Sequence, residues 1–295
     1  MVRSVVVGIN GSPESRAAGD WAARAAEARG LPLTVVQVRE PLPDLMARAP
    51  MLGAETEQHF SERGPRATAE DLRGRHPGLK IVEEQVTGRP ATALVEASEG
   101  ADLLVLGSRG LGGLGGFLVG SASLGVIART EVPVVLVRAG STTAPRQDGP
   151  AADPAGAVVL GLDVTSPDDS VIAFAFEEAD RRARPLQVVH SWNLPSFYAQ
   201  RLPGGRASCE EMAREQTEAL TGVLGPWRLR FPGVEVAAES RPGGAADRLV
   251  DTSREASLVV VGRRVRRSAL GPHIGSVTHA VLHHAAAPVA VVAHD

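Results

Sequence analysis

Three short segments carry residue types that suit the binding of a phosphorylated ligand. They are Gly8-Ile9-Asn10-Gly11-Ser12-Pro13, Gly107-Ser108-Arg109-Gly110 and Gly120-Ser121. The last two form the pattern G-x2-G-x9-G-[ST]. Glycines let a backbone approach an anion closely and accept positive φ, so successive amide N–H groups can converge on one phosphate. A helix opening at Gly120-Ser121 would add its free N–H groups and the positive end of its dipole. The Ser121 hydroxyl can donate a further hydrogen bond or cap that helix, and Asn10 is placed to bond a sugar hydroxyl or a base. A glycine-rich surface loop followed by an ordinary N-cap accounts for a single copy equally well. A second copy tips the balance toward a site, because Gly262 and Gly275-Ser276 repeat the 13-residue spacing of Gly107 and Gly120.

Other chemistries fit the chain poorly. Its 31 basic residues include one lysine, Lys80, which follows His76-Pro77-Gly78-Leu79 and so stands in neither a Walker loop nor a kinase context. One cysteine, Cys209, excludes an intrachain disulfide and a Cys-rich zinc site. Gly110-Leu111-Gly112-Gly113-Leu114-Gly115 matches the dinucleotide fingerprint G-x-G-x-x-G, but no helix opens at once and the second half has no match, so NAD is not expected. His279 and His283 have the i, i+4 spacing of metal ligands, yet lack the glutamate of a metalloprotease, and a packed or surface role is expected. Asp163, Asp168 and Asp169 raise a magnesium site; Asp168 and Asp169 fit the first turn of a helix better. No metal site is expected from the protein alone.

These segments must be positioned by regular elements. Runs such as Val5-Val6-Val7 and Leu103-Leu104-Val105-Leu106 are apolar on both faces, as buried parallel strands are. Strands are expected near 2–8, 32–38, 80–86, 102–106 and 133–138, and helices near 13–29, 54–75, 90–99 and 121–130. The second half repeats that order: SVVVGING at Ser4–Gly11 matches AVVLGLDV at Ala157–Val164, and ADLLVLG at Ala101–Gly107 matches ASLVVVG at Ala256–Gly262. Alternating strands and helices imply right-handed crossovers and an open, doubly wound sheet in each half. Ser141–Gly156 (STTAPRQDGPAADPAG) has linker composition, so the expected layout is one domain over 1–140, a linker over 141–156 and a second domain over 157–295. In such sheets ligands bind beyond the carboxyl ends of the strands, where strand order reverses.

With 295 residues, 43% hydrophobic and 22% charged, the chain has the composition of an ordinary globular protein of two domains. A net charge of −3 and 3% aromatic residues give neither a basic footprint nor stacking platforms, so no nucleic-acid partner is expected. No apolar run approaches the roughly 18 residues of a membrane helix, and the first residues do not read as a secretory signal, so no membrane partner and a cytoplasmic location are expected.

The combination of Val7-Gly8-Ile9-Asn10-Gly11-Ser12, Gly107-Ser108-Arg109-Gly110, Gly120-Ser121-Ala122-Ser123 and Val132-Pro133-Val134-Val135 resembles the universal stress proteins, in tandem form. In the second half the likeness rests on Gly161-Leu162-Asp163, Gly262, Gly275-Ser276-Val277-Thr278 and Ala287-Pro288-Val289. The resemblance implies a five-stranded parallel sheet per domain, of order 3-2-1-4-5. Many members with this glycine motif bind ATP, which implies contacts to phosphate and ribose at Gly107, Gly110, Gly120 and Ser121. It also implies an adenine wall at Val38 and main-chain or side-chain contacts at Ile9, Arg109 and Ala122. Asn10 stands where the family usually has an aspartate; the second half keeps the acid as Asp163 but has Val265 for the second glycine. A β-branched residue suits neither positive φ nor close phosphate approach. Arg263, Arg264, Arg266 and Arg267 would compensate only by neutralising phosphate, so the second site, at Asp163, Gly262, Gly275 and Ser276, is expected to be weaker or empty.

The expected function is therefore an ATP-binding stress-response regulator rather than an enzyme, the nucleotide entering with or without magnesium. Nucleotide occupancy would order the Gly107–Gly120 loop and alter a surface read by a protein partner, and a homodimer is expected. The alternatives are a slow ATP hydrolase or phosphotransferase and an interaction module that binds no nucleotide.

Overall fold

The computed structural model describes residues 3–41, 65–108, 119–139, 156–193, 205–265 and 274–295. The chain divides into two compact units, Met1–Ala152 and Asp153–Asp295. In the first unit the strands are β1 (Val5–Ile9), β2 (Leu33–Arg39), β3 (Ile81–Thr87), β4 (Leu103–Ser108) and β5 (Val134–Arg138). The helices between them are α1 (Pro13–Arg29), α2 (Pro65–Arg75), α3 (Pro90–Ala97) and α4 (Ser121–Ile127). All pairings are parallel, and the order is 3-2-1-4-5, as expected. The second unit repeats this with β6 (Ala157–Gly161), β7 (Leu186–Trp192), β8 (Val236–Pro242), β9 (Ala256–Arg264) and β10 (Val289–His294). Its helices are α5 (Asp169–Arg181), α6 (Gly205–Arg230), α7 (Ala245–Thr252) and α8 (Ser276–His284), and its strand order is β8-β7-β6-β9-β10.

The central strands are buried along their length: Val5, Val7, Leu103, Leu104 and Val105 are fully enclosed, as are Val158, Val159 and Leu160. Helix layers on both faces impose that, and it is why these strands read as unbroken apolar runs. α1 begins at the N-cap Ser12, whose hydroxyl accepts from the Ser15 amide, with Pro13 at the first helical position, where a missing N–H costs nothing. The small face of α1 (Ala18, Ala22, Ala23, Ala26) lets it sit close over β1 and β4, with Trp21 1% exposed in the core. It ends at Gly30 in the left-handed region, φ 62°. The matching end of α5 places Ala183 at φ 48°, the same turn without a glycine. Trp227 of α6 and Phe231, the residue after its end, pack against Phe176 of α5, with ring centroids 6.0 and 5.5 Å apart.

α1 spans the residues expected of it, whereas α3 and α4 end two and three residues earlier than expected. α3 stops at Ala97 because the Ser98 hydroxyl and amide turn back onto the carbonyl of Val95. Of the expected helix over 54–75, the part over 54–64 lies outside the described residues, as do most of the expected linker and the glycine run 110–115.

Candidate functional site

In both units the candidate residues emerge at the carboxyl ends of the two strands that flank the switch point. In the first unit the β1–β4 register sets Gly8 beside Leu106, so Ile9-Asn10 and Gly107 leave neighbouring strands together. Ile9 is buried, so only its main chain can meet a ligand there. Asn10 is exposed, and its Oδ1 accepts the Ser12 amide at 3.1 Å, closing the turn into α1 and leaving the side-chain NH2 as a free donor. In the second unit Asp163 does the same work, its Oδ1 accepting the Thr165 amide (3.0 Å) and hydroxyl (2.7 Å). An amide and a carboxylate are interchangeable in such a turn, so the Asn10/Asp163 difference leaves its geometry intact while removing one charge.

The glycines separate into two kinds. A Cβ on Gly107 would lie 2.7–2.8 Å from the backbone of Glu14 and Ser15, so this glycine is required by the close approach of α1. Gly120 has ordinary angles (φ −61°, ψ 147°) and nothing within 4 Å of a Cβ, and Gly275 is the same (φ −65°, ψ 155°). Neither conformation nor packing among the described residues demands a glycine at those two positions; an approaching ligand would. Each is itself the N-cap of its helix, so Ser121 and Ser276 occupy the first helical position and do not cap; both are exposed. Ala122 and Val38 are half-buried near the same strand ends, whereas Arg109 and Gly110 lie outside the described residues.

The second unit holds a cleft of about 630 Å³ at its strand ends, within the range of small-ligand sites. The Gly161-Leu162-Asp163 segment, Gly262 and Gly275 all line it. So does Ser191, at the end of β7, where the first unit has Val38; its Oγ is buried without a hydrogen-bond partner. A buried orphan hydroxyl facing a cleft is a group that a ligand can satisfy. Leu162 is held from below by His190, which is 3% exposed and bridges the Leu162 carbonyl (3.0 Å from Nδ1) and the Gln216 side chain (2.9 Å from Nε2). That carbonyl can only accept, so Nδ1 carries a proton. Thr278 ties α8 to β9 through a 2.8 Å bond from its hydroxyl to the Gly262 carbonyl.

The rim of this cleft is charged. Asp168 caps α5, and burial pushes its carboxyl up; hydrogen bonds from Ser170 and the Val171 amide, with His294 nearby, outweigh that and hold it below the usual range. Arg264 donates to the Ser166 hydroxyl at 2.6 Å. Val265 does not adopt positive φ, and its N–H donates to the His294 carbonyl at 2.6 Å. The amide that a glycine-rich turn would offer to phosphate is therefore used in the sheet. Arg263 is buried (4% exposed) and Arg264 is at the rim; Arg266 and Arg267 lie outside the described residues. Ser191 and His294 escape sequence reasoning because strand ends carry no motif; comparing the repeats position by position (Val38 with Ser191, Ala139 with His294) is the signal that finds them. The rings of His279 and His283 lie 4.5 Å apart, and among the described residues no group of three or more His, Cys, Asp or Glu is arranged to hold a metal. No helix among the described residues is long and apolar enough to cross a membrane.

The model of the universal stress protein family matches residues 1–138 and again 156–293. A universal stress protein of Mycobacterium tuberculosis is 36% identical over 295 residues, covering 97% of this chain and 96% of its own. One from Mycolicibacterium smegmatis is 31% identical, covering 98% and 96%. Among solved structures, a universal stress protein from Archaeoglobus fulgidus aligns with a TM-score of 0.70 at 19% identity, covering 99% of this chain and 98% of that one.

Proposed function

The chain belongs to the universal stress protein family, with one family unit in each half, and from that premise we propose that it is an adenine-nucleotide-binding regulator whose first unit takes ATP. The observation that carries this is the pair Gly120 and Gly275, two helix-capping glycines that, among the described residues, have open space around them and no packing need to be glycine. A phosphate seated against Gly120 would meet the first free N–H groups of α4, with the Ser121 hydroxyl beside them. Asn10 would offer its free NH2 to the sugar, and the wall at Val38 would take the base. Magnesium would be held by the nucleotide's own phosphates. The residues bind and orient; among the described residues no lysine, metal set or water-activating base is placed to speed hydrolysis, and the protein is read as acting through occupancy rather than turnover. Occupancy would order the segment between Gly107 and Gly120 and change the surface shown to a protein partner, in a homodimer located in the cytoplasm.

The test is to denature freshly purified protein and quantify released small molecules by liquid chromatography with mass detection. About one equivalent of ATP, lost in Gly120→Ala and kept in Gly275→Ala, is the expected result. No nucleotide released, and none rebound at millimolar ATP, would leave the fold standing and remove the nucleotide from the function.

A further inference from the structure

We infer that His279 and His283 of α8 together hold a divalent transition-metal ion, of the class of zinc, nickel or copper, on the flank of that helix in the second unit. The site stands apart from the nucleotide reading above, because neither histidine lines the cleft at the strand ends.

The i, i+4 spacing by itself fits a packed or surface role, and the structure adds the geometry. Thr278, Val281 and Leu282 form the buried side of α8. At about 100° per residue, His279 and His283 fall together on one flank beside that stripe. His279 is exposed there and His283 is half-buried. A helical side chain leans toward the N-terminus of its helix, so His283 reaches back along the flank toward His279. Their ring centres are 4.5 Å apart, with the rings tilted by 34°. Two imidazole nitrogens about 2.0–2.1 Å from one ion put the ring centres roughly 4.5–5.5 Å apart, so the pair already stands at the separation a shared ion requires. Nε2 of His283 is enclosed in this arrangement, so either Nδ1 meets the ion or the ring turns about its Cβ–Cγ bond to present Nε2.

The duplicated fold does not call for these rings. Counted from Ser121 and Ser276 at the two helix starts, the first unit has Leu124 and Ala128 where the second has His279 and His283. The pair therefore belongs to the second half alone and is no part of the shared glycine motif. Its chemistry selects the ion. Imidazole nitrogen suits zinc, nickel and copper, whereas magnesium and calcium favour oxygen ligands. Once one ring holds the ion, the other meets it at the high effective concentration that a single helix turn enforces, so two rings bind far more tightly than one. Among the described residues no group of three or more His, Cys, Asp or Glu is arranged to hold a metal, so the remaining positions are filled by water. His284 is exposed, about 100° further round the helix than His283, and its ring lies 6.4 Å from that of His283. It is the control that shares the neighbourhood without sharing the flank.

The experiment uses the full-length chain with any affinity tag removed and titrates zinc, nickel and magnesium chlorides separately by calorimetry. The expected result is binding of zinc and nickel and none of magnesium. His279→Gln and His283→Gln should each weaken zinc binding at least about tenfold, as loss of one arm of a chelate implies, while His284→Gln stays within about twofold of wild type. Zinc should also raise the melting temperature of wild type and of His284→Gln, and not that of the other two variants. A loss smaller than tenfold in either His279→Gln or His283→Gln, an equal loss in His284→Gln, magnesium binding as tightly as zinc, or no zinc bound at millimolar concentration overturns the inference. Each of those outcomes leaves the nucleotide reading untouched, since that reading is tested by released nucleotide and by Gly120→Ala. Circular dichroism checks the fold of each variant. Should the half-buried His283→Gln fail to fold, the exposed His279→Gln decides alone.

Discussion

Gly107 and Gly120 belong to one sequence motif and answer to different forces. Gly107→Ala drives a methyl into the backbone of Glu14 and Ser15 and should destabilise the first unit by about 1–3 kcal/mol in chemical denaturation. Gly120→Ala meets nothing and should stay within about 0.5 kcal/mol of wild type while losing the bound nucleotide. A Gly120→Ala protein as unstable as Gly107→Ala would assign both glycines to packing. Asp168 is a residue of the same dual kind. Asp168→Ala should cost about 1 kcal/mol as a lost N-cap. Because its carboxyl is held below the usual range, the unfolded chain binds that proton more readily. The stabilisation is therefore complete above about pH 4 and is lost as pH falls through the lower folded value. Asp168→Asn, which keeps the cap, should flatten that acid limb in a pH series of denaturation midpoints.

At the scale of elements, the repeats share one design with local substitutions that are read as energy. Gly30 and Ala183 end equivalent helices with positive φ, and no Cβ contact restricts Gly30. Gly30→Ala should destabilise its unit by about 1 kcal/mol, and Ala183→Gly should stabilise its own by about 0.5–1 kcal/mol, both by denaturant midpoint at constant slope. Equal effects of the same sign would show that the turn, not the left-handed conformation, sets the cost. The elements themselves were largely legible in the sequence: short apolar runs marked β1, β4, β6 and β9, and the helix expected near 13–29 is α1. The end of α3 was less legible, because it depends on where the Ser98 hydroxyl points.

At the scale of the molecule, two compact units in one chain need not unfold together, so a single midpoint is not assumed. Scanning calorimetry with saturating ATP should raise the transition of the first unit, by about 2.7 kcal/mol at 100 times the dissociation constant, and leave the second nearly unmoved. Equal shifts of both transitions by ATP would show two equivalent sites.

The sequence by itself determined the duplication, the βα alternation in each half, the strand order that the family likeness implies and the strand ends at which a ligand would sit. The duplication, the alternation and the strand ends follow from periodicity and spacing, which are local and additive along the chain; the strand order came with the family resemblance. Only the tertiary structure separated Gly107, needed for packing, from Gly120, free of it, because that depends on which backbone arrives from elsewhere. It likewise placed Ser191 and His294 in one cleft: they are 103 residues apart in sequence, and only the crossovers that lay β7 and β10 on either side of β6 and β9 bring their ends to a common rim.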